Sequence, residues 1–198
     1  MNQIAKFIFQ RLRKDERGIA IVEFAFAGPL FLLLLMGVFD IGYAMYIKSA
    51  LQGAVNEAGR GATLENTAAA TLDARVATVL GSLNKSGTVE YTRTFYERYT
   101  DVTLPEDMQD NNNNGQRDPG ECFVDRNGNS IWDSDVGFAG RGGAQDVVIY
   151  RAEFTYTRIF PLWRMLNQSP TQVLVGETVL RNQPFSAQAV RSRLTICT

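Results

Sequence analysis

The sequence predicts an α+β fold: a long N-terminal helix, membrane-spanning in its first half, followed by a small antiparallel-sheet domain with a calcium-loop-like insertion. Three observations predict it. Residues 19–39 are apolar except for Glu23 and the helix breakers Gly28, Pro29 and Gly37, and about 20 apolar residues is the length that crosses a bilayer's hydrocarbon. Three later segments are rich in β-branched and aromatic residues. Between the first two of these lies an Asp/Asn-rich stretch, 110–135.

Residues 1–17 carry Lys6, Arg11, Arg13, Lys14 and Arg17 against only Asp15 and Glu16. Positive charge beside a span holds that end in the cytoplasm, so the remainder is expected outside. A secretory signal peptide has the same polarity but a shorter apolar core and a small-x-small cleavage site after it. The apolar run is long here and residues 50–54 offer only a poor site, so an anchored product is expected. Glu23 is the anomaly, since a carboxylate in hydrocarbon costs about 2.5 to 3.5 kcal/mol on insertion scales and calls for a partner. No Lys or Arg lies within the apolar run to supply one.

Helix-compatible spacing continues past Phe39, predicting one helix over 19–61. At 1.5 Å per residue it would be roughly 60 Å long, about twice the hydrocarbon thickness, so its second half stands outside the membrane. Ala50, Ala54 and Ala58 recur every fourth position as a close-packing face. That face either seats the chain's own domain or packs subunits together. Pro29 removes a backbone donor and would kink the span or melt a turn.

Asn66 or Thr67 can cap a second helix over 68–83, with Leu72, Val76, Val79, Leu80 and Leu83 on one face. Residues 88–100, 146–159 and 172–181 read as strands, the third kinked or bulged at Gly176. Residues 161–166, with Trp163, read as a short amphipathic element packing on the sheet. The expected organisation is a leader (1–18), a transmembrane and extended helix (19–61) and an extracytoplasmic domain (62–198) containing the insertion (105–140).

Gly18 ends the basic leader, Ile19 opens the apolar stretch, and Glu23 stands five residues past the glycine, followed by Phe24. This pattern resembles the cleavage and assembly signal of type IV prepilins. The continuation V-E-F-A-F-A-G-P-L and the downstream G-V-F-D-I-G-Y resemble the TadE-like branch, the minor pseudopilins of Tad (Flp) pili. R-N-Q-P-F at 181–185 is similar to a closing motif of those proteins, with Gln183 where Glu is usual. The resemblance implies that a membrane-embedded prepilin peptidase cuts after Gly18, leaving Ile19 as the mature N-terminus. It implies that Glu23 meets a neighbouring subunit's terminal amine, a cation that cleavage itself creates. The partners it implies are other pilins or minor pseudopilins and the Tad assembly platform, in pilus biogenesis, adhesion and surface attachment. The location it implies is a single pass through the inner membrane, with a cytoplasmic N-terminus and a periplasmic C-terminal domain that can enter an extracellular pilus. An ordinary signal anchor with an incidental Glu is the plainer alternative.

Composition narrows the function. Lys+Arg 20 against Asp+Glu 21, for a formal net charge of -1, leaves no strong electrostatic case for nucleic acid. His is absent, which removes the commonest general base and zinc ligand, so no enzyme is expected. Cys122 and Cys197 are far apart in sequence; outside the cytoplasm such a pair is most simply a disulfide between the acidic loop and the C-terminal tail. Two free buried thiols are the alternative.

The insertion fits the twelve-position calcium loop, with oxygens at alternate positions, glycine at 6 and an acid at 12. Its first half supplies Asp110, Asn112, Asn114, Gly115, the carbonyl of Gln116, Asp118 and Glu121. Its second half supplies Asp125, Asn127, Asn129 and Asp133, but Ser130 replaces the glycine and Val136 takes the place of the closing acid, with Asp135 one residue early as a substitute. A calcium clamp is the expectation, in a structural and not a catalytic role; a solvated Asn-rich insertion is the alternative. A second function class follows: a membrane-anchored extracytoplasmic module that binds its ligand in a calcium-dependent way.

Overall fold

The computed structural model describes residues 18–62, 69–184 and 187–197. The leader up to Arg17, the cap candidates Asn66 and Thr67, and Phe185 lie outside the described residues. Helix α1 spans Ile19–Ala62 and runs through Pro29 without a break in the helix. By contacts the chain forms two compact units. One comprises the chain up to Met45 with Arg158–Pro170; the other comprises Tyr46–Thr157 and Thr171–Thr198.

In the first unit α1 is apolar on every side, with Ile21, Phe24, Phe26, Leu30 and Leu34 all exposed. A helix hydrophobic all round is suited to lipid or to a protein interior, not to water. Its one buried acid is Asp40, 2% exposed. The Arg158 guanidinium donates to Asp40 Oδ2, and Trp163 Nε1 donates to the same oxygen at 2.8 Å.

The sequence pattern suggested that 161–166 packs on the sheet, but the contacts of this segment go to α1. Phe160 lies 6.3 Å from Phe39 between ring centroids, and Leu162 approaches Gly37.

In the second unit, α2 (Ala69–Leu83) turns Leu72, Val76 and Leu80 inward, one face of a 3.6-residue period. The strands are β1 (Thr88–Tyr96), β2 (Cys122–Asp125), β3 (Phe138–Ala139), β4 (Val147–Thr157), β5 (Thr171–Arg181) and β6 (Leu194–Cys197); α3 (Leu162–Met165) belongs to the first unit. An antiparallel sheet has the order β3-β1-β4-β5, and β2 pairs with β6 apart from it. Three strands are visible in the sequence; β2, β3 and β6 are too short to show a period.

Val148, Tyr150, Ala152, Phe154 and Tyr156 alternate inward along β4. Ile47, Leu51, Ala54, Val55 and Ala58 of α1 are buried within the same unit, so Ala54 and Ala58 do seat the chain's own domain. Gly176 neither kinks nor bulges β5, for it pairs in register with Ala152. A Cβ there would lie 2.8 Å from Leu51 Cγ, so its bareness is what lets α1 dock.

Asp73 fixes α2 to the sheet. Its backbone oxygen accepts from Tyr91 Oη at 2.8 Å, and its Oδ1 accepts from Tyr150 Oη at 2.8 Å and from Arg93. Burial, with the adjacent Asp73 carboxylate, pushes the Tyr150 phenol far above its ordinary value.

Candidate functional site

Two places carry candidate chemistry. The first is the oxygen-rich insertion, whose two loops share one hydrogen-bond pattern. In the first, Asp110 Oδ2 accepts from Gly115 N at 2.7 Å, and Asn112 and Asn114 donate their amides to Asp118 Oδ2 at 2.6 and 2.8 Å. In the second, Asp125 Oδ2 accepts from Ser130 N at 2.9 Å, and Asn127 and Asn129 donate to Asp133 Oδ2 at 2.6 and 2.7 Å. Gln116 N bonds Asn114 Oδ1 and Ile131 N bonds Asn129 Oδ1, both at 2.7 Å. Gly115 has φ +75° and Ser130 φ 63°, so Ser130 adopts the left-handed turn that its missing glycine would have made easily.

The closing acids repay comparison. Glu121 accepts from Asn111 N at 2.8 Å and Asp118 N at 2.9 Å. The equivalent amides of the second loop, Arg126 N and Asp133 N, donate to Glu106, at 2.7 and 3.2 Å. Asp135 does not close that loop. It accepts from Tyr96 Oη at 2.9 Å and from Gly137 N at 3.0 Å. Burial, reinforced by this carboxylate, pushes the Tyr96 phenol up to about 12.

Sequence reasoning missed Glu106, although a signal was present: Glu106 precedes Asp110 by the same four positions by which Glu121 precedes Asp125. The segment carrying Glu106 is held between both loops, Glu106 N bonding Asp133 O at 2.9 Å and Gln109 N bonding Cys122 O at 2.8 Å.

Glu106, Glu121 and Asp125 are 1%, 4% and 1% exposed. Among the described residues none of the three joins an ion pair. Among the described residues, too, no three carboxylates gather as a ready-made metal cage. A hard cation would therefore need amide oxygens as well as carboxylates, with the Asn amides turned so that oxygen replaces nitrogen. The Gly115 N–H, partly offset by desolvation, and other loop amides hold the Asp110 carboxyl below its usual range, keeping it anionic.

Cys122 and Cys197 stand opposite each other in the β2–β6 ladder and form a disulfide, Cα–Cα 4.1 Å. The C-terminal segment is also clasped by charge. Arg191 bonds Asp146 Oδ2 at 2.7 Å and lies over the rings of Phe95 and Phe138, at 4.9 and 5.0 Å from their centroids. Burial drives the Asp146 carboxyl upward, but Arg191, Gln188 and the Gly143 N–H outweigh it and hold it below the ordinary range. Asn182, from the R-N-Q-P-F motif, donates to the carbonyls of Arg141 and Gly143 at 2.9 and 2.8 Å. This motif supports a loop; nothing in its geometry suggests chemistry.

The second place is the start of α1. Gly18 is exposed, with nothing within 4 Å of where a Cβ would stand, and the helix begins at Ile19. Glu23 is also exposed, one helical turn beyond Ile19, and among the described residues no cation pairs with it. Gly18, Ile19 and Glu23 thus occupy one helix terminus, apart in sequence from the oxygen-rich loops.

Residues 18–60 match the family model of TadE-like proteins. This TadE-like segment begins at Gly18 and covers nearly all of α1. The match covers less than half of the chain, and the apolar first part of the matched segment is long enough to cross a membrane. No curated protein and no solved structure matches the chain.

Proposed function

We propose that the chain is a TadE-like minor pseudopilin. A prepilin peptidase cuts it after Gly18, and it then joins partner pilins through α1 in pilus biogenesis, adhesion and surface attachment. One observation carries the reading: the TadE-like match opens at Gly18, immediately before Ile19, the first residue of α1. Cleavage there would place a new ammonium at Ile19 beside an apolar helix with an unpaired carboxylate at Glu23. A neighbouring subunit's amine neutralises that carboxylate inside the membrane. The basic leader favours a cytoplasmic N-terminus and a single pass through the inner membrane.

Mass spectrometry of the N-terminus tests processing: a start at Ile19 is expected, and an intact leader in the working protein overturns the reading. Glu23→Gln separately tests the pairing. It should abolish pilus assembly while leaving the protein in the membrane.

The paired loops favour a second property of the same protein, calcium binding outside the cell. Three buried carboxylates, Glu106, Glu121 and Asp125, that join no ion pair among the described residues are the supporting observation, and the ion's role would be to order the insertion. Trp132 Nε1 donates to the Glu106 carbonyl at 3.1 Å, which makes its emission a local reporter for calcium titration. A calcium-dependent binding module is the corresponding alternative function; it would survive Glu23→Ala, whereas pilus assembly would not.

A further inference from the structure

The connector between β4 and β5, Arg158–Pro170, forms a compact unit with the first part of α1. Its residues Ile159, Phe160, Pro161, Leu162, Trp163, Met165 and Leu166 are apolar, and its only charges are Arg158 and Arg164. Ile159, Met165 and Leu166 are 58%, 66% and 59% exposed, an unusual concentration of uncovered apolar side chains in a hairpin connection.

Part of the connector's backbone is bonded internally. Met165 N and Leu166 N bond Pro161 O and Leu162 O at 3.0 Å, Gln168 N bonds Trp163 O at 2.7 Å, and Arg158 N bonds Pro170 O at 2.9 Å across the base. Trp163 bonds Asp40 at 2.8 Å with the Arg158 guanidinium 4.4 Å above its ring, while Leu162 and Phe160 abut Gly37 and Phe39. Those are the last residues of the apolar run.

We propose that this connector is a second membrane-contacting element, seated in the headgroup region of the leaflet where the α1 span ends. The proposal rests on the reading of residues 19–39 as a bilayer span. Four features select lipid as the occupant. The connector packs on the end of the apolar run, which fixes its depth. Its exposed residues include the apolar Ile159, Met165 and Leu166, its tryptophan is the side chain enriched at membrane boundaries, and its charged side chains are both positive, complementary to anionic headgroups. The internal bonds of Arg158, Met165, Leu166 and Gln168 lower the cost of moving those amides out of water, and the hydrated headgroup region can serve the others. The Arg158–Asp40 pair neutralises the one acid that would otherwise enter that layer.

The test uses the full chain in phosphatidylcholine vesicles with and without phosphatidylglycerol, in a Trp132→Phe background that leaves Trp163 as the sole tryptophan. Lipids spin-labelled near the headgroup should lower Trp163 emission at least about two-fold more than lipids labelled at mid-chain, and anionic lipid should enhance the effect. Met165→Glu with Leu166→Glu should remove the difference. A probe placed by Leu32→Trp, with Trp132→Phe and Trp163→Phe, reports on the span itself and should be quenched from mid-chain. If position 32 is quenched but Trp163 responds only to aqueous acrylamide, the connector proposal fails alone. If position 32 is not quenched, the span and the connector proposal fail together.

Discussion

Glu106 and Glu121 have exchanged loops: each stands four residues ahead of one oxygen-rich loop and closes the other. Each carboxylate satisfies two backbone amides that would otherwise be buried without partners. Glu106→Ala should therefore lower stability by about 2 to 4 kcal/mol even without metal. Chemical denaturation in EDTA measures it. If calcium binds, saturating ion at about 100 times Kd should add about 2.7 kcal/mol to the unmutated protein. Glu106→Gln should reduce that increment while leaving the contribution of the Glu121 loop.

Asp40 is buried and Arg158 largely so, and removing Asp40 takes a buried counter-charge from the arginine and an acceptor from Trp163. Asp40→Ala should loosen the connector by about 3 kcal/mol, raising trypsin cleavage after exposed Arg164 about 100-fold. Asp40→Asn with Arg158→Gln should recover much of the protection, because no lone charge remains. Timed proteolysis of the protein in vesicles gives both rates.

Asp146 makes acid sensitivity predictable in sign. Its folded carboxyl titrates below its unfolded value of about 3.9, so its contribution is complete above that value and is lost as pH falls through the folded one. Asp146→Asn should cost about 1 to 3 kcal/mol at pH 7, because Arg191 loses its 2.7 Å partner and keeps only Glu97 at 3.7 Å, and much less in strong acid. Thermal melts from pH 7 to pH 2 should show the two proteins converging.

Gly176→Ala should destabilise by about 1 to 3 kcal/mol, because the new methyl would lie 2.8 Å from Leu51 Cγ and 3.2 Å from Val55 Cγ2, both on buried side chains. Leu51→Val should be less harmful in that background than alone, a coupling that a double-mutant cycle on denaturation midpoints will detect.

Local pattern made much of this fold legible. The face Leu72, Val76 and Leu80 and the alternation along β4 are dictated by neighbours a few residues away and stand in the structure, whereas Val79, expected on the same face, is exposed and Leu83 is half-buried. What stayed hidden depends on distant partners. Gly176 suggested a bulge because nothing beside it shows that Leu51 arrives from another element. The four-residue β2 and β6 exist through mutual pairing and their disulfide, not through intrinsic pattern. Asp146 and Arg191 are likewise meaningless until the tail folds back. At the candidate sites, the sequence exposed the order Gly18, Ile19, Glu23 and both loop motifs. It placed the second loop's closing acid wrongly, since that carboxylate comes from upstream and the twelve-position template looks only forward.

Gln52 of α1 donates to the Glu177 carbonyl at 2.8 Å and accepts from the Glu177 amide at 3.3 Å, occupying backbone groups on the outer margin of β5. Unpaired sheet margins invite strand-by-strand growth between molecules, the route to irregular fibres. By holding the amide and carbonyl of Glu177, Gln52 takes up two groups that another chain's strand would otherwise need for pairing.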